Sequence, residues 1–124
     1  MFKQVSLYKR KAGISAEAFR AYYEETHVRT RLSSMTLPGL RRYMRRYLTA
    51  IPDPVTGKAL DLGYDVITEL WFEDKLAWEN YRRVSLDAEV RRIATDDELL
   101  FMDQDAKSTY LVDECVLEFA SEGV

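Results

Sequence analysis

The sequence predicts an α+β domain in which four extended runs and two helical regions alternate as β-α-β-β-α-β. Two observations carry the strands: residues 2–9 alternate with period two, and residues 64–72 form a compact run of β-branched and aromatic side chains. A third carries the helices, because residues 16–34 and 75–94 place apolar side chains at helical spacing behind Ser and Asp caps.

In "FKQVSLYK" (2–9), Val5 and Leu7 point to one face and Phe2, Gln4, Ser6 and Tyr8 to the other. "KAG" turns the chain. The Ser15 hydroxyl suits an N-cap, and Glu17 suits the positive end of the helix dipole. Phe19, Tyr22, Tyr23, Thr26 and Thr30 form one stripe, so the helix is expected to reach about Ser34. "TLPGL" (36–40) stops it and opens a second strand over 40–51. Two prolines and two glycines make 52–63 an exposed loop, and 64–72 is the third strand. Asp74 caps a helix over 75–83, with Leu76, Ala77 and Tyr81 as inward positions. Ser85 caps another over 86–94, "DDELLFMD" (96–103) adds a helical turn, and 108–119 is the last strand.

This order is that of a ferredoxin-like antiparallel sheet with helices on one face. The other face would carry Val5, Leu7, Ile67 and Trp71. Leaving them in water is unfavourable by about 25 cal/mol per Å². Two sheets packed face to face would cover them and close an α+β barrel, so a homodimer is expected.

Length suits a single domain spanning 1–124. A net charge of −3 gives no general attraction to nucleic acid or to an anionic membrane. One cysteine, Cys115, and one histidine, His27, cannot build a disulfide or a zinc cluster within the chain. No Gly-rich phosphate loop is present, so neither metal nor cofactor is expected. The N-terminus lacks the apolar run of a signal peptide, and no stretch approaches about 18 apolar residues. A cytoplasmic location is the expectation.

His27 lies about 80° around the helix from Phe19, which places it at the edge of the buried stripe. From there an imidazole can line a cleft between helix and sheet, and its ordinary pKa of about 6.5 suits acid–base work. The structural alternative is a boundary histidine near a helix C-terminus. Of eight tyrosines, Tyr23 precedes His27 by one turn, Tyr43 follows "PGLRR", and Tyr81 sits in the second helical region. Each phenol can bind a carbonyl or phenolate oxygen, or simply pack with its hydroxyl at the rim. Glu69 stands in an otherwise apolar strand, on the face opposite Val66, Thr68 and Leu70 and so away from His27. It reads mainly as half of an ion pair with an arginine of "LRRYMRRY". That basic, aromatic run could suggest RNA, but the third strand carries Asp65 and Glu69 where stacking aromatics would be needed.

"YKRKAGISAEAFRAYYEETHVRT", "LPGLRRY" and "YDVITELWFED", in this order, resemble the EthD family of the dimeric α+β barrel superfamily. The joint pattern covers nearly the whole chain. It is a basic-ended first strand, "S-x-E-x-F" opening a helix, a histidine near its end, "PGL-x-x-Y" entering the second strand, and "E-L-W-F" in the third. The family is named from an ether-degradation gene cluster. Its relatives include polyketide dehydratases, methylisomerases, polyketide cyclases and cofactor-free monooxygenases. The resemblance implies a cofactor-free lyase, isomerase or oxidoreductase acting on a small aromatic, polyketide-like or lactone-like substrate. The alternative is a non-catalytic ligand-binding or accessory protein supporting a catabolic system. It implies His27, Tyr23, Tyr43 and Tyr81 as catalytic candidates. Gln4, Ser6 and Tyr8 of the first strand and Val66, Thr68 and Leu70 of the third are the implied pocket wall. Methylisomerase-type relatives carry a cysteine at the position of Leu70, so this chain departs from that chemistry.

Overall fold

The structure is a computed structural model and describes residues 1–59 and 63–121. It contains a four-stranded antiparallel sheet in the order β2-β3-β1-β4. The strands are β1 (Phe2–Tyr8), β2 (Leu40–Tyr47), β3 (Val66–Phe72) and β4 (Ser108–Leu111). β1 and β3 occupy the centre, with Gln4 opposite Leu70 and Ser6 opposite Thr68. In both strands burial alternates with the pleat, most regularly in β3, where Val66, Thr68, Leu70 and Phe72 are buried.

Between β1 and β2 runs a composite helix: α1 (Ala16–Tyr22), a π-helical segment (Tyr23–His27) and α2 (Val28–Ser34). Ser15 caps α1 by accepting from the Ala18 amide at 3.0 Å. After β3 come α3 (Lys75–Ser85), capped by Asp74, and α4 (Ala88–Glu98). The aromatic core sits between composite helix and sheet. Phe19, Tyr23, Val66, Phe101 and Met102 are its buried members. Phe101 meets the rings of Phe19, Tyr22, Tyr23 and His27 with centroids 4.8–5.7 Å apart.

Several expected boundaries shift. β2 ends at Tyr47 rather than 51, and β3 begins at Val66 rather than 64. Residues 60–62 of the expected 52–63 loop lie outside the described residues. α4 is capped by Asp87, which accepts from the Glu89 and Val90 amides, and not by Ser85, which ends α3. α4 runs on to Glu98, taking in the start of the expected extra turn. Leu76 is exposed. Trp78 turns inward in its place, stacking on Phe2 with centroids 5.1 Å apart. Thr26 is exposed too.

The last strand stops at Leu111 instead of 119. The register explains it: Leu111 pairs with Gln4 antiparallel, and β1 begins at Phe2, so its partner backbone ends two residues further on. Val116, Leu117 and Phe119 are left exposed at 74%, 78% and 87%.

The sheet face away from the helices carries Val5, Leu7, Ile67, Glu69 and Trp71. Glu69 pairs there with Arg46 and accepts from Trp71 Nε1 at 3.1 Å. Burial would hold its proton on, but these two partners outweigh that and keep its pKa below the usual carboxylate value.

Candidate functional site

Between sheet and helices lies a cavity of about 340 Å³. Its floor is the helix-facing side of the sheet: Gln4, Ser6 and Tyr8 of β1, Tyr43 of β2, Thr68 and Leu70 of β3. The composite helix supplies Tyr23, His27 and Arg31, and α3 supplies Tyr81, Arg82 and Ser85. Arg91, Ala94, Thr95 and Glu98 come from α4. Every residue proposed from sequence therefore borders this space except Val66. That side chain is fully buried in the aromatic core, beneath Phe19 and Tyr23, and is not part of the wall.

His27 is not at an edge. It is 3% exposed, in the middle of the buried face. The π-helical segment is the cause. The Val28 amide bonds to the Tyr23 carbonyl, an i→i+5 link that takes up an extra residue in one turn. His27 is thereby wound back over the direction of Phe19, and both rings touch Phe101. Tyr23 meets the imidazole edge-on, centroids 5.2 Å apart.

His27 Nδ1–H donates to Asp97 Oδ2 at 2.6 Å. Tyr22 OH donates to the other carboxylate oxygen, Oδ1, at 2.5 Å. Asp97 is itself buried, at 8% exposure. A carboxylate on Nδ1 fixes the tautomer, leaving Nε2 as the basic nitrogen. Among the described residues no protein group hydrogen-bonds to Nε2. Burial lowers the His27 pKa below its ordinary value, against the opposing pull of Asp97 and Glu98, so the ring is neutral near pH 7.

The tyrosines titrate the other way. Burial raises Tyr8, Tyr23 and Tyr43 above the ordinary phenol value, and raises Tyr22 to about 12. All remain protonated near neutrality and can donate. Tyr23 OH is 2.5 Å from Thr68 Oγ1, and Tyr43 OH donates to Tyr23 OH at 3.4 Å. Tyr23, Tyr43 and Thr68 thus form one hydroxyl chain beside His27. Tyr81 lines the same cavity from α3: its ring packs on Phe72, centroids 5.2 Å apart, and its OH accepts from Arg31 Nη2 at 3.3 Å. Gln4 Oε1 accepts from Trp78 Nε1 at 2.9 Å, and Ser6 shares a 3.0 Å bond with Thr109.

Sequence reasoning missed Asp97, Arg31, Glu98 and Lys107. For the carboxylates a signal existed: Val90, Ala94, Asp97, Glu98 and Phe101 fall on one helical stripe, so two acids interrupt an apolar face. Glu98 is buried and pairs with Lys107 at 2.9 Å and Gln104 at 3.1 Å. Among the described residues no group of three or more His, Cys, Asp or Glu side chains is placed to ligate a metal, and no helix is long and apolar enough to cross a membrane.

The fold and the buried histidine cavity define a ferredoxin-like α+β protein of the kind found in dimeric barrels. The same architecture recurs in solved structures. An EthD-family protein from Bacillus halodurans is 17% identical, with a TM-score of 0.58 over 93% of this chain and 100% of its own. SnoaB, a cofactor-independent oxygenase from Streptomyces nogalater, is 13% identical, with a TM-score of 0.56 over 94% of each chain. A dimeric protein of ferredoxin-like fold from Bacteroides fragilis is 9% identical, with a TM-score of 0.50 over 91% and 95%. No curated protein matches the chain. Residues 11–105 match the EthD domain, and the chain belongs to that family.

Proposed function

We propose that the protein is a cofactor-free enzyme that removes a proton from a small aromatic, polyketide-like or lactone-like substrate held in the 340 Å³ cavity. One observation carries the reading: the neutral His27, held by buried Asp97 through Nδ1, borders the cavity with Nε2 unbonded to any described residue. Nε2 takes the proton from a carbon next to a carbonyl, or from a phenol. The tyrosines, with their raised pKa values, are poor bases and good donors. Tyr23 and Tyr43 hold the oxygen on which charge develops. Dehydration, isomerisation, cyclisation and cofactor-free oxygenation all open with such a step. That SnoaB is a cofactor-independent oxygenase is consistent with chemistry of this kind.

The experiment follows solvent deuterium entering the carbon next to the carbonyl of aromatic β-ketoesters and lactones, by NMR in D₂O. The wild type should accelerate exchange, and His27→Asn should lower that acceleration by about 10²- to 10⁴-fold. A variant exchanging at the wild-type rate overturns the proposal. Probe binding without accelerated exchange also overturns it, and favours a ligand carrier.

The working unit in this proposal is a homodimer packed through the open sheet face, where Val5, Leu7, Ile67 and Trp71 would otherwise meet solvent. A sedimentation mass of one 14.5 kDa chain at micromolar concentration would exclude it.

A further inference from the structure

The cavity that holds His27 is markedly cationic, although the chain as a whole carries −3. Its charged lining residues are Arg31, Arg82, Arg91 and Lys107 against Glu98 alone. Lys107 and Glu98 neutralise each other at 2.9 Å. Among the described residues none of the three arginines has a carboxylate within ion-pair distance. Among the described residues Arg20, Arg29, Arg42 and Arg83 are unpaired as well, but all four are exposed, and the other half-buried arginine, Arg45, is paired with Glu24. Arg82 and Arg91 are exposed, where water solvates a free charge cheaply. Arg31 is half-buried, and among the described residues its guanidinium makes one hydrogen bond, the 3.3 Å contact to the Tyr81 hydroxyl. Glu98, held by Lys107, supports the Arg31 charge from beyond ion-pair distance, so the guanidinium is left partly desolvated with no carboxylate in direct contact, which is unfavourable.

A second observation lies beside the first. Ser85 Oγ is buried and finds no hydrogen-bond partner among the described residues. It borders the same cavity, one turn along α3 from Tyr81 and so on the same helix face. Arg31, Tyr81 and Ser85 therefore bring one cation and two hydroxyls to one part of the wall. The His27–Tyr23–Tyr43 group lines the same cavity. A guanidinium flanked by hydroxyl donors is the donor set for an oxyanion of planar, carboxylate-like geometry.

We propose that the substrate is an organic carboxylate, and that Arg31 binds its carboxylate with Tyr81 and Ser85 as accessory donors. Arg82 and Arg91 at the exposed margin draw the anion in. The carboxylate fixes the orientation of the molecule, so that the carbon or phenol to be deprotonated faces His27. This deepens the preceding proposal and rests on it only for the choice of cavity. Arg31 is here a binding and specificity residue, not the base.

The test compares 2-naphthoate with the neutral, nearly isosteric 2-naphthamide, by calorimetry on the full chain at fixed ionic strength. The naphthoate should bind tighter by about tenfold or more, the range of a charge-assisted hydrogen bond. Arg31→Gln should abolish that preference, and Arg31→Lys should keep part of it. Ser85→Ala should weaken naphthoate more than naphthamide. Circular dichroism and thermal unfolding check that each variant is folded. Should Arg31→Gln fail to fold, the other two variants decide. Equal affinity for the two probes, no naphthoate binding at millimolar concentration, or a preference that survives in folded Arg31→Gln overturns the proposal. So does a preference that neither Arg31→Lys nor Ser85→Ala alters. The two proposals separate in His27→Asn: anion preference survives there whether or not His27 is the base, while deuterium exchange does not depend on the naphthoate result.

Discussion

Replacing Asp97 by asparagine changes the centre of the site at nearly constant volume. The wild-type carboxylate accepts from His27 Nδ1 at 2.6 Å and from Tyr22 OH at 2.5 Å, with 8% of the residue exposed. An amide has one oxygen to offer where two donors wait. Either His27 or Tyr22 loses its acceptor in a site with little water, at a cost of about 1–3 kcal/mol. For a chain of this length that lowers the melting temperature by roughly 4–12 °C. A second effect falls on the imidazole. Asp97 supports the protonated ring, so its removal should lower a His27 pKa that burial already depresses. Because the chain has one histidine, its NMR titration is free of overlap. The wild type should titrate below about 6.5 and Asp97→Asn lower still. The sign of the pH dependence follows. Between the native and unfolded pKa values the unfolded chain binds more protons, so stability rises with pH. The contribution of His27 is complete above about pH 6.5 and is lost as pH falls through the native value. A wild-type pKa at or above 6.5, or one that Asp97→Asn leaves unchanged, refutes the reasoning.

Phe101→Ala should cost about 3–5 kcal/mol in denaturant unfolding, because the ring is 1% exposed and four aromatic neighbours surround it. A loss under 1 kcal/mol would show that those rings close the space. Gly39→Ala should also destabilise, by a kcal/mol or more in the same assay. The residue has φ of +80°, and a Cβ there would stand 2.5 Å from the Ala77 side chain of α3. Unchanged stability would mean that β2 and α3 part easily.

The sheet was readable because its alternation is a local signal. Gln4, Ser6, Thr68 and Leu70 occupy the faces that their spacing assigned. Strand ends were harder, since β4 stops where β1 runs out rather than where its own pattern changes. On α3 the outsized indole of Trp78 takes the inward direction that Leu76 was expected to fill. The site was half readable. Its tyrosines and histidine are conspicuous residue types, but Asp97 and Glu98 look like a solvated acidic run until the stripe through Ala94 and Phe101 is traced. His27 was misplaced because counting at a constant angle assumes a uniform helix. Nothing in "YYEETH" announces a turn with one more residue than usual.

The extra residue in that turn makes it a place where the chain can change length without moving the site. Glu25 and Thr26 are exposed, so most substitutions there should pass unnoticed. Deleting either one would let the turn close with ordinary i→i+4 bonds. His27 would then follow Phe19 by seven residues, about 700° around the helix and roughly 20° short of two full turns. Phe19 would stay anchored on Phe101, and His27 and Arg31 would still face the cavity. The turn is thus a place where lineages of this fold can gain or lose one residue while the imidazole keeps its direction.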